Sequence, residues 1–266
     1  MRQVIQSART GRLAVREVPE PKVRAGHVLV RTRASLISAG TERMVVAFAN
    51  KSLAGKAAAR PDLVRKVIAK ARRDGVVAAW RAAMARLDEP LALGYSAAGE
   101  VVAVGEGLEG RFAAGGRVAI GGAGVANHAE FNAVPANLAV PTPEGVSDEH
   151  AAFATVGAIA LHAVRNAHVG LGDVVAVIGV GLIGQLAAQF ARLAGARVVA
   201  LDPDSVRLEL AARLGTEAAL DPASENLDVR IAALTQGLGC DSVLLAAAPE
   251  AAAPFRTAAR IARARA

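Results

Sequence analysis

Cysteine is nearly absent from this chain: Cys240 is the single one among 266 residues. That excludes an internal disulfide and a cysteine-rich structural zinc site, and it suits a reducing compartment. Aromatic residues are scarce as well, at 3%, with one Trp and one Tyr, too few to build the stacking platforms on which single-stranded nucleic acid is bound. Long apolar runs are missing. The stretch 151–160 is too short to span a bilayer, 174–201 is interrupted by Gln185, Gln189 and Arg192, and Met1 to Leu13 is too polar for a signal peptide. These absences describe a cytoplasmic chain with no membrane partner.

Acidic charge is also in short supply, 24 Asp and Glu against 31 Lys and Arg, a formal +7. A basic sum invites a nucleic-acid reading, so its distribution matters. Residues 51–86 carry ten Lys and Arg against only Asp62 and Asp74, which leaves the rest of the chain close to neutral. Nothing aromatic or Gly-rich is interleaved with those cations, so nucleic acid is not expected. The favoured reading is the solvated face of surface helices; the alternatives are an acidic partner or an anionic substrate nearby.

What is present is a globular composition. Hydrophobic residues reach 53%, and 26 Gly and 11 Pro follow no repeat, at a length that suggests roughly two domains. Short alternating segments at 3–6, 12–18 and 27–33, then at 99–104, 117–120 and 130–134, predict antiparallel strands of one β-rich domain. Helices interrupt it. From Pro61, the residues Leu63, Val64, Val67, Ile68 and Ala71 form one stripe at a 3.6-residue period, Gly75 is placed as a C-cap, and Val76, Val77, Trp80, Met84 and Leu87 form a second stripe that ends at Pro90.

After Pro141 the pattern changes. A helix is expected over 148–166, then strands at 174–178, 197–201, 218–220 and 242–246 alternate with helices at 182–194, 205–214 and 226–235, and with a last helix from Pro249 to the end. Alternating strands and helices predict a doubly wound parallel sheet. Between its first strand and helix lies Gly179-Val180-Gly181-Leu182-Ile183-Gly184. This G-x-G-x-x-G follows a buried strand, opens a helix, and is answered by Asp202 at about the twenty-residue spacing of the dinucleotide fingerprint. Gly179 permits the tight turn, Gly181 the approach of a pyrophosphate, and Gly184 close helix–strand packing. A carboxylate at 202 favours NAD over NADP, because it accepts from ribose hydroxyls and repels a 2′-phosphate. Arg207 is placed to stack on adenine or reach a phosphate, or else to stay solvated.

On these residues the chain resembles the medium-chain dehydrogenase/reductase family. Gly94-Tyr95-Ser96-Ala97-Ala98-Gly99-Glu100-Val101-Val102-Ala103-Val104-Gly105 is similar to its G-H-E-x-x-G-x-V-x-x-V-G motif, and Gly115-Gly116-Arg117-Val118 to its G-D-R-V turn. The stretches 36–43 and 122–130 look closer still to the N-terminal part of bacterial bi-domain oxidoreductases, which carry a second dehydrogenase module. The resemblance implies an α/β chain with a GroES-like domain over 1–145, a helical insertion at about 44–89, and a Rossmann domain over 146–266 that lacks its last strands. A truncated chain is therefore expected, or one completed by a C-terminal partner domain; a homodimer is the other expectation.

The resemblance also locates a zinc site, and there the chain departs. The ligand positions hold Ala39, Tyr95 and, on an approximate alignment, Thr155, none of them a zinc ligand of the usual kind. No metal is expected. A hydride transfer would then need a side chain to carry the proton, and the candidates are Tyr95, then His128, then Glu42 beside Thr41. The implied activity is a zinc-independent, NAD-dependent oxidoreductase acting on a small-molecule alcohol or carbonyl, sugar-derived compounds included. Reduction of activated double bonds and a non-catalytic NAD-binding remnant are the alternatives.

Overall fold

A computed structural model describes residues 1–247 and 252–264. Its contacts divide the chain into two units, Met1–Thr155 and Val156–Ala266.

The first unit is built on antiparallel pairing. Strands β1 (Arg2–Ser7) and β2 (Leu13–Glu17) form a small sheet with β4 (Pro90–Ala92), in the order β2-β1-β4. The larger sheet runs β7-β3-β5-β6-β8, with β3 at His27–Ser35, β5 at Ser96–Val104, β6 at Arg117–Gly121, β7 at Phe131–Pro135 and β8 at Ala139–Pro141. Along β3 the period-2 pattern holds: Val28 and Val30 are buried while Arg31 and Arg33 face solvent. Their neighbours in the core are Val101, Val118, Ile120 and Val134. The β3–β5 pair approaches so closely at Gly99 that a Cβ there would lie 2.0 Å from the Arg31 carbonyl oxygen.

Helices α1 (Ala39–Ala49), α2 (Leu53–Ala59), α3 (Pro61–Asp74) and α4 (Val76–Asp88) fill the interval between β3 and β4. They begin at Ala39, earlier than the expected 44, because the chain turns helical directly after Ser38. Pro61 opens α3 and Gly75, at φ +89°, separates it from α4, as the sequence predicts. The two stripes behave otherwise than a core would. No residue of α3 is buried, and Ile68, Val76, Val77 and Trp80 stand open to solvent. Helix α3 packs chiefly on α4 and α2.

The helix expected over 148–166 is broken into α5 (Asp148–Ala151) and α6 (Ala154–Asn166). At the break the Ser96 hydroxyl donates to the Ala152 carbonyl oxygen at 2.6 Å, which occupies a group that a continuous helix would use itself.

The second unit holds four parallel strands in the order β11-β10-β9-β12: β9 is Val174–Ile178, β10 Arg197–Leu201, β11 Ala218–Leu220 and β12 Ser242–Leu245. Helices α7 (Leu182–Leu193), α8 (Ser205–Arg213), α9 (Leu227–Thr235) and α10 (Ala253–Ile261) alternate with them. Pro249, where the last helix was expected to begin, lies outside the described residues. Every residue of β9 is buried. Val175 and Val177 pack with Val198 and with Ala187, Ala188 and Ala191 of α7, whereas Val174, Ala176 and Ile178 pack with Leu227, Ile231 and Ile261. Helices thus cover both faces, which explains why β9 reads as an unbroken apolar run.

Cys240 belongs to that second face, fully buried, and burial together with the neighbouring Asp241 pushes its thiol up to about 11 from an ordinary 9.0. The native thiol holds its proton more tightly than the unfolded one, so this contribution to stability is complete below pH 9.0 and is lost as the pH rises toward about 11. We expect iodoacetamide at about pH 8 to leave Cys240 unmodified in the native protein and to alkylate it in urea. Urea midpoints should fall across that alkaline window; rapid native alkylation would contradict the burial.

Candidate functional site

The loop between β9 and α7 is shaped by three glycines with different tasks. Gly179 has φ +88°, and a Cβ on it would come within 2.6 Å of the Ala247 amide nitrogen. A Cβ on Gly184 would sit 1.9 Å from the Gly179 carbonyl oxygen. These two positions exclude side chains for reasons internal to the fold. Gly181 differs, because a Cβ there would meet nothing within 4 Å. It is the N-cap of α7 and supplies no capping side chain. The first bond of the helix ladder runs from the Gln185 amide to the Gly181 carbonyl, 2.8 Å. The amides of Leu182, Ile183 and Gly184 therefore have no partner one turn back. Open space in front of unpaired amides at a helix N-terminus is what an anionic pyrophosphate needs.

Asp202, at the end of β10, is 2% exposed. Its Oδ2 accepts from the Val180 amide and its Oδ1 from the Asp204 amide, both at 2.9 Å. The carboxylate thereby ties the loop to the neighbouring strand. Arg207, half exposed, lies 3.5 Å from carboxylate oxygens of both Asp202 and Asp204. Gln185 is a residue the sequence reading missed. Its Nε2 donates to the carbonyl oxygens of Val180 (3.1 Å) and Arg207 (2.9 Å), stitching the loop to α8. Its signal was visible as a glutamine on the inward face of an apolar helix, where it had been read only as a break in a hydrophobic run.

In the first unit, three strand ends meet. The Leu36 amide donates to the Ser96 carbonyl, Ser96 pairs with Gly121, and the Gly122 amide donates to the Tyr95 carbonyl. Around this corner Glu42 and His128 come together. His128 Nε2 is 3.1 and 3.2 Å from the two Glu42 oxygens, and its Nδ1 is 2.9 Å from Ser35 Oγ. An ionised carboxylate can only accept, so Nε2 carries a proton, and in the neutral ring Nδ1 accepts from the Ser35 hydroxyl. The Ser38 amide donates to Glu42 at 3.0 Å, holding the carboxylate at the start of α1. The side chains of His128 and Glu42 are 10% and 14% exposed, whereas Ser35 faces solvent. Ser35 was not legible beforehand, since a serine ending a strand carries no signal of its own.

Tyr95 is half-buried, and among the described residues its hydroxyl makes no hydrogen bond. Its neighbour Gly94, at φ +97°, lies against the peptide joining Asn127 and His128, where a Cβ would come within 2.7 Å of the His128 nitrogen. Asn127 Oδ1 is buried there with no hydrogen-bond partner among the described residues. The positions that the resemblance assigns to zinc do not suit it. Ala39 offers no donor, and the Thr155 hydroxyl packs where a Gly121 Cβ would be, 2.5 Å from it. Among the described residues no three His, Cys, Asp or Glu side chains gather. Glu42 and His128 are engaged with each other, so the residues present do not fit a tetrahedral zinc site.

Comparison with known proteins agrees with this architecture. A family model described as zinc-binding dehydrogenase matches residues 183–265, a stretch that contains none of Ala39, Tyr95 and Thr155. A sorbitol dehydrogenase of Halalkalibacterium halodurans is 30% identical over 184 residues, 58% of this chain and 53% of the relative. The D-guloside 3-dehydrogenase of Shigella flexneri is 38% identical over 103 residues, 38% of this chain and 29% of the relative. An alcohol dehydrogenase of Thermus sp. ATN1 superposes with a TM-score of 0.75 at 24% identity, covering 99% of this chain and 75% of that one.

The chain is similar to medium-chain, zinc-type alcohol dehydrogenases. Its matches to these two curated relatives span 53% and 29% of their lengths, and the likeness to the Thermus protein is one of fold. The architecture is α/β, a GroES-like unit with a Rossmann-like unit.

Two glycine substitutions separate folding from binding in this dehydrogenase-like loop. Gly184→Ala drives a Cβ into backbone and should lower stability by about 1–3 kcal/mol in urea unfolding. Gly181→Ala should leave the unfolding midpoint unchanged yet weaken dinucleotide binding by roughly tenfold or more, read by fluorescence titration with NADH. Equal loss of stability in both variants would contradict the open space over Gly181.

Proposed function

We infer that this protein is an NAD(H)-linked oxidoreductase that interconverts a polar alcohol and its carbonyl without zinc. The observation that carries the reading is the loop just described, with its unpaired amides, its open Gly181 and the buried Asp202 beside it.

The residues present fit a nicotinamide dinucleotide. The amides at the start of α7 would hold its pyrophosphate, with Gly179, Val180, Gly181, Leu182, Ile183 and Gly184 forming the cradle. Asp202 and Arg207 stand beside the place of the adenosine ribose. The negative charge of Asp202 disfavours a 2′-phosphate, which supports NAD over NADP. The nicotinamide, when bound, supplies the hydride acceptor or donor.

Oxidation of an alcohol also releases the hydroxyl proton, and the first unit offers a route for it. Ser35 can take a proton at Oγ while giving its own to His128 Nδ1, and Glu42 stabilises the imidazolium that forms. Tyr95, in the same corner, is the rival carrier. A sugar-derived or polyol substrate is supported by the named activities of the two curated relatives. It is supported too by an open cavity of about 310 Å³ in the first unit, whose lining includes Arg2, Thr32, Ser35, His128 and Glu130.

The test begins with calorimetric titration. NADH should bind roughly tenfold or more tightly than NADPH, and binding of neither removes the reading. Deuterium from C4-labelled cofactor should then appear in one member of a polyol and sugar panel. Binding without exchange would identify a dinucleotide-binding protein without turnover. With a substrate in hand, His128→Gln and Glu42→Gln should lower kcat by about a hundredfold or more and alter the pH profile, with KM little changed. If Tyr95→Phe does so instead, the proton carrier is Tyr95.

A further inference from the structure

The hairpin of α3 and α4 plays no part in the proposed reaction, and its surface is peculiar in two ways at once. First, it presents apolar side chains to solvent where the helices turn. Val76 and Val77 are 74% and 71% exposed, and Trp80, one turn further along the same face, is 58% exposed. Second, the cations around that tip are uncompensated. The hairpin's acids are already engaged: Asp62 pairs with Arg60, Asp74 with Lys70 and Arg73, and Asp88 with Arg9. Among the described residues, Arg65, Lys66, Arg72, Arg81 and Arg86 have no carboxylate within ion-pair distance.

We propose that this hairpin seats the protein on an anionic bilayer surface, with Val76, Val77 and Trp80 entering the boundary between headgroups and acyl chains and the free cations meeting lipid phosphates. Exposed aliphatic residues beside a tryptophan, flanked by Arg and Lys, form the pattern of an interfacial amphiphile. Anionic headgroups supply the charge that the hairpin lacks. A second copy of the chain fits less well, because symmetric packing would set one cationic face against another. Nucleic acid would satisfy the cations and leave the valines in water. No helix among the described residues is long and apolar enough to cross a membrane, so the association is with the surface. The sequence argues against a membrane from its lack of a spanning apolar run, which bears on insertion and not on surface association; the exposure of Val76, Val77 and Trp80 supplies the case for the surface.

Trp80 is the only tryptophan, so its emission reports on the tip directly. The full chain is mixed with vesicles of equimolar phosphatidylglycerol and phosphatidylcholine, and separately with phosphatidylcholine alone. The expected result is a blue shift and co-sedimentation with the anionic vesicles only, with partition falling roughly tenfold or more when salt is raised from low to physiological strength. The double variant Val76→Asp with Val77→Asp, at exposed positions, should keep its far-ultraviolet circular dichroism and its NADH titration while losing both signals. Arg72→Glu with Arg81→Glu should lose the anionic preference. The proposal is overturned by an unshifted emission on anionic vesicles, by equal partition into neutral ones, or by undiminished binding of the double Asp variant. It is likewise overturned if duplex DNA gives the same shift, or if a dimer in vesicle-free buffer is dissolved by the Asp variant. The NADH titration on the same preparation keeps this outcome separate from that of the proposed reaction.

Discussion

Backbone touches backbone where α7 leaves its loop, and the second unit is organised around that contact. Gly184 brings the first turn of the helix against the Gly179 carbonyl, at a distance where no side chain fits. With the helix pressed down, the amides of Leu182, Ile183 and Gly184 at its N-terminus have no carbonyl one turn back to donate to. The buried Asp202 then completes the arrangement. A carboxylate in a nearly dry site needs donors, and it finds them in the Val180 and Asp204 amides. The same group therefore fixes the loop to β10 and places a buried negative charge beside the start of α7.

A comparable economy holds in the first unit. Among the described residues, the corner that resembles a zinc site gathers no three His, Cys, Asp or Glu side chains, and a hydrogen-bonded chain of Glu42, His128 and Ser35 occupies its neighbourhood. Glu42 accepts from the Ser38 amide as well as from His128, so the start of α1 and the orientation of the imidazole depend on each other. Such coupling explains why α1 begins at Ala39. It also defines what the cluster offers: an imidazole backed by a carboxylate on one side and hydrogen-bonded to an exposed hydroxyl on the other.

The parts legible in the sequence are those governed by local rules. The β9 run is continuous because both its faces are covered, the glycine spacing is set by one turn and one helix, and Asp202 lies a strand and a helix further on. The last two involve neighbours within one βαβ unit, and the first needs only a parallel sheet with helices on both faces. His128 and Glu42 were visible as candidates one by one, yet they are separated by 86 residues, and no spacing rule joins them. Ser35 entered only through its contact with His128. The break between α5 and α6 likewise depends on a hydroxyl from a distant strand, Ser96. Long-range hydrogen bonds leave no periodic trace.

The insertion marks a different limit. A 3.6-residue stripe states that one face of a helix is apolar, but it does not state what covers that face. Buried residues and solvent-exposed anchors produce the same periodicity. In α3 the stripe coexists with exposed cations, and isolated helices of this length are only marginally stable in water. What supports it here is local: Pro61 at the first turn, the Lys70–Asp74 pair one turn apart, and packing against α2 and α4. A segment held by such modest means, with an exposed apolar tip and with Arg65, Lys66, Arg72, Arg81 and Arg86 lacking a carboxylate partner among the described residues, is suited to the anionic, partly apolar surface proposed for it. Charge placement, which first argued only against nucleic acid, thereby becomes the strongest guide to what this part of the chain is for.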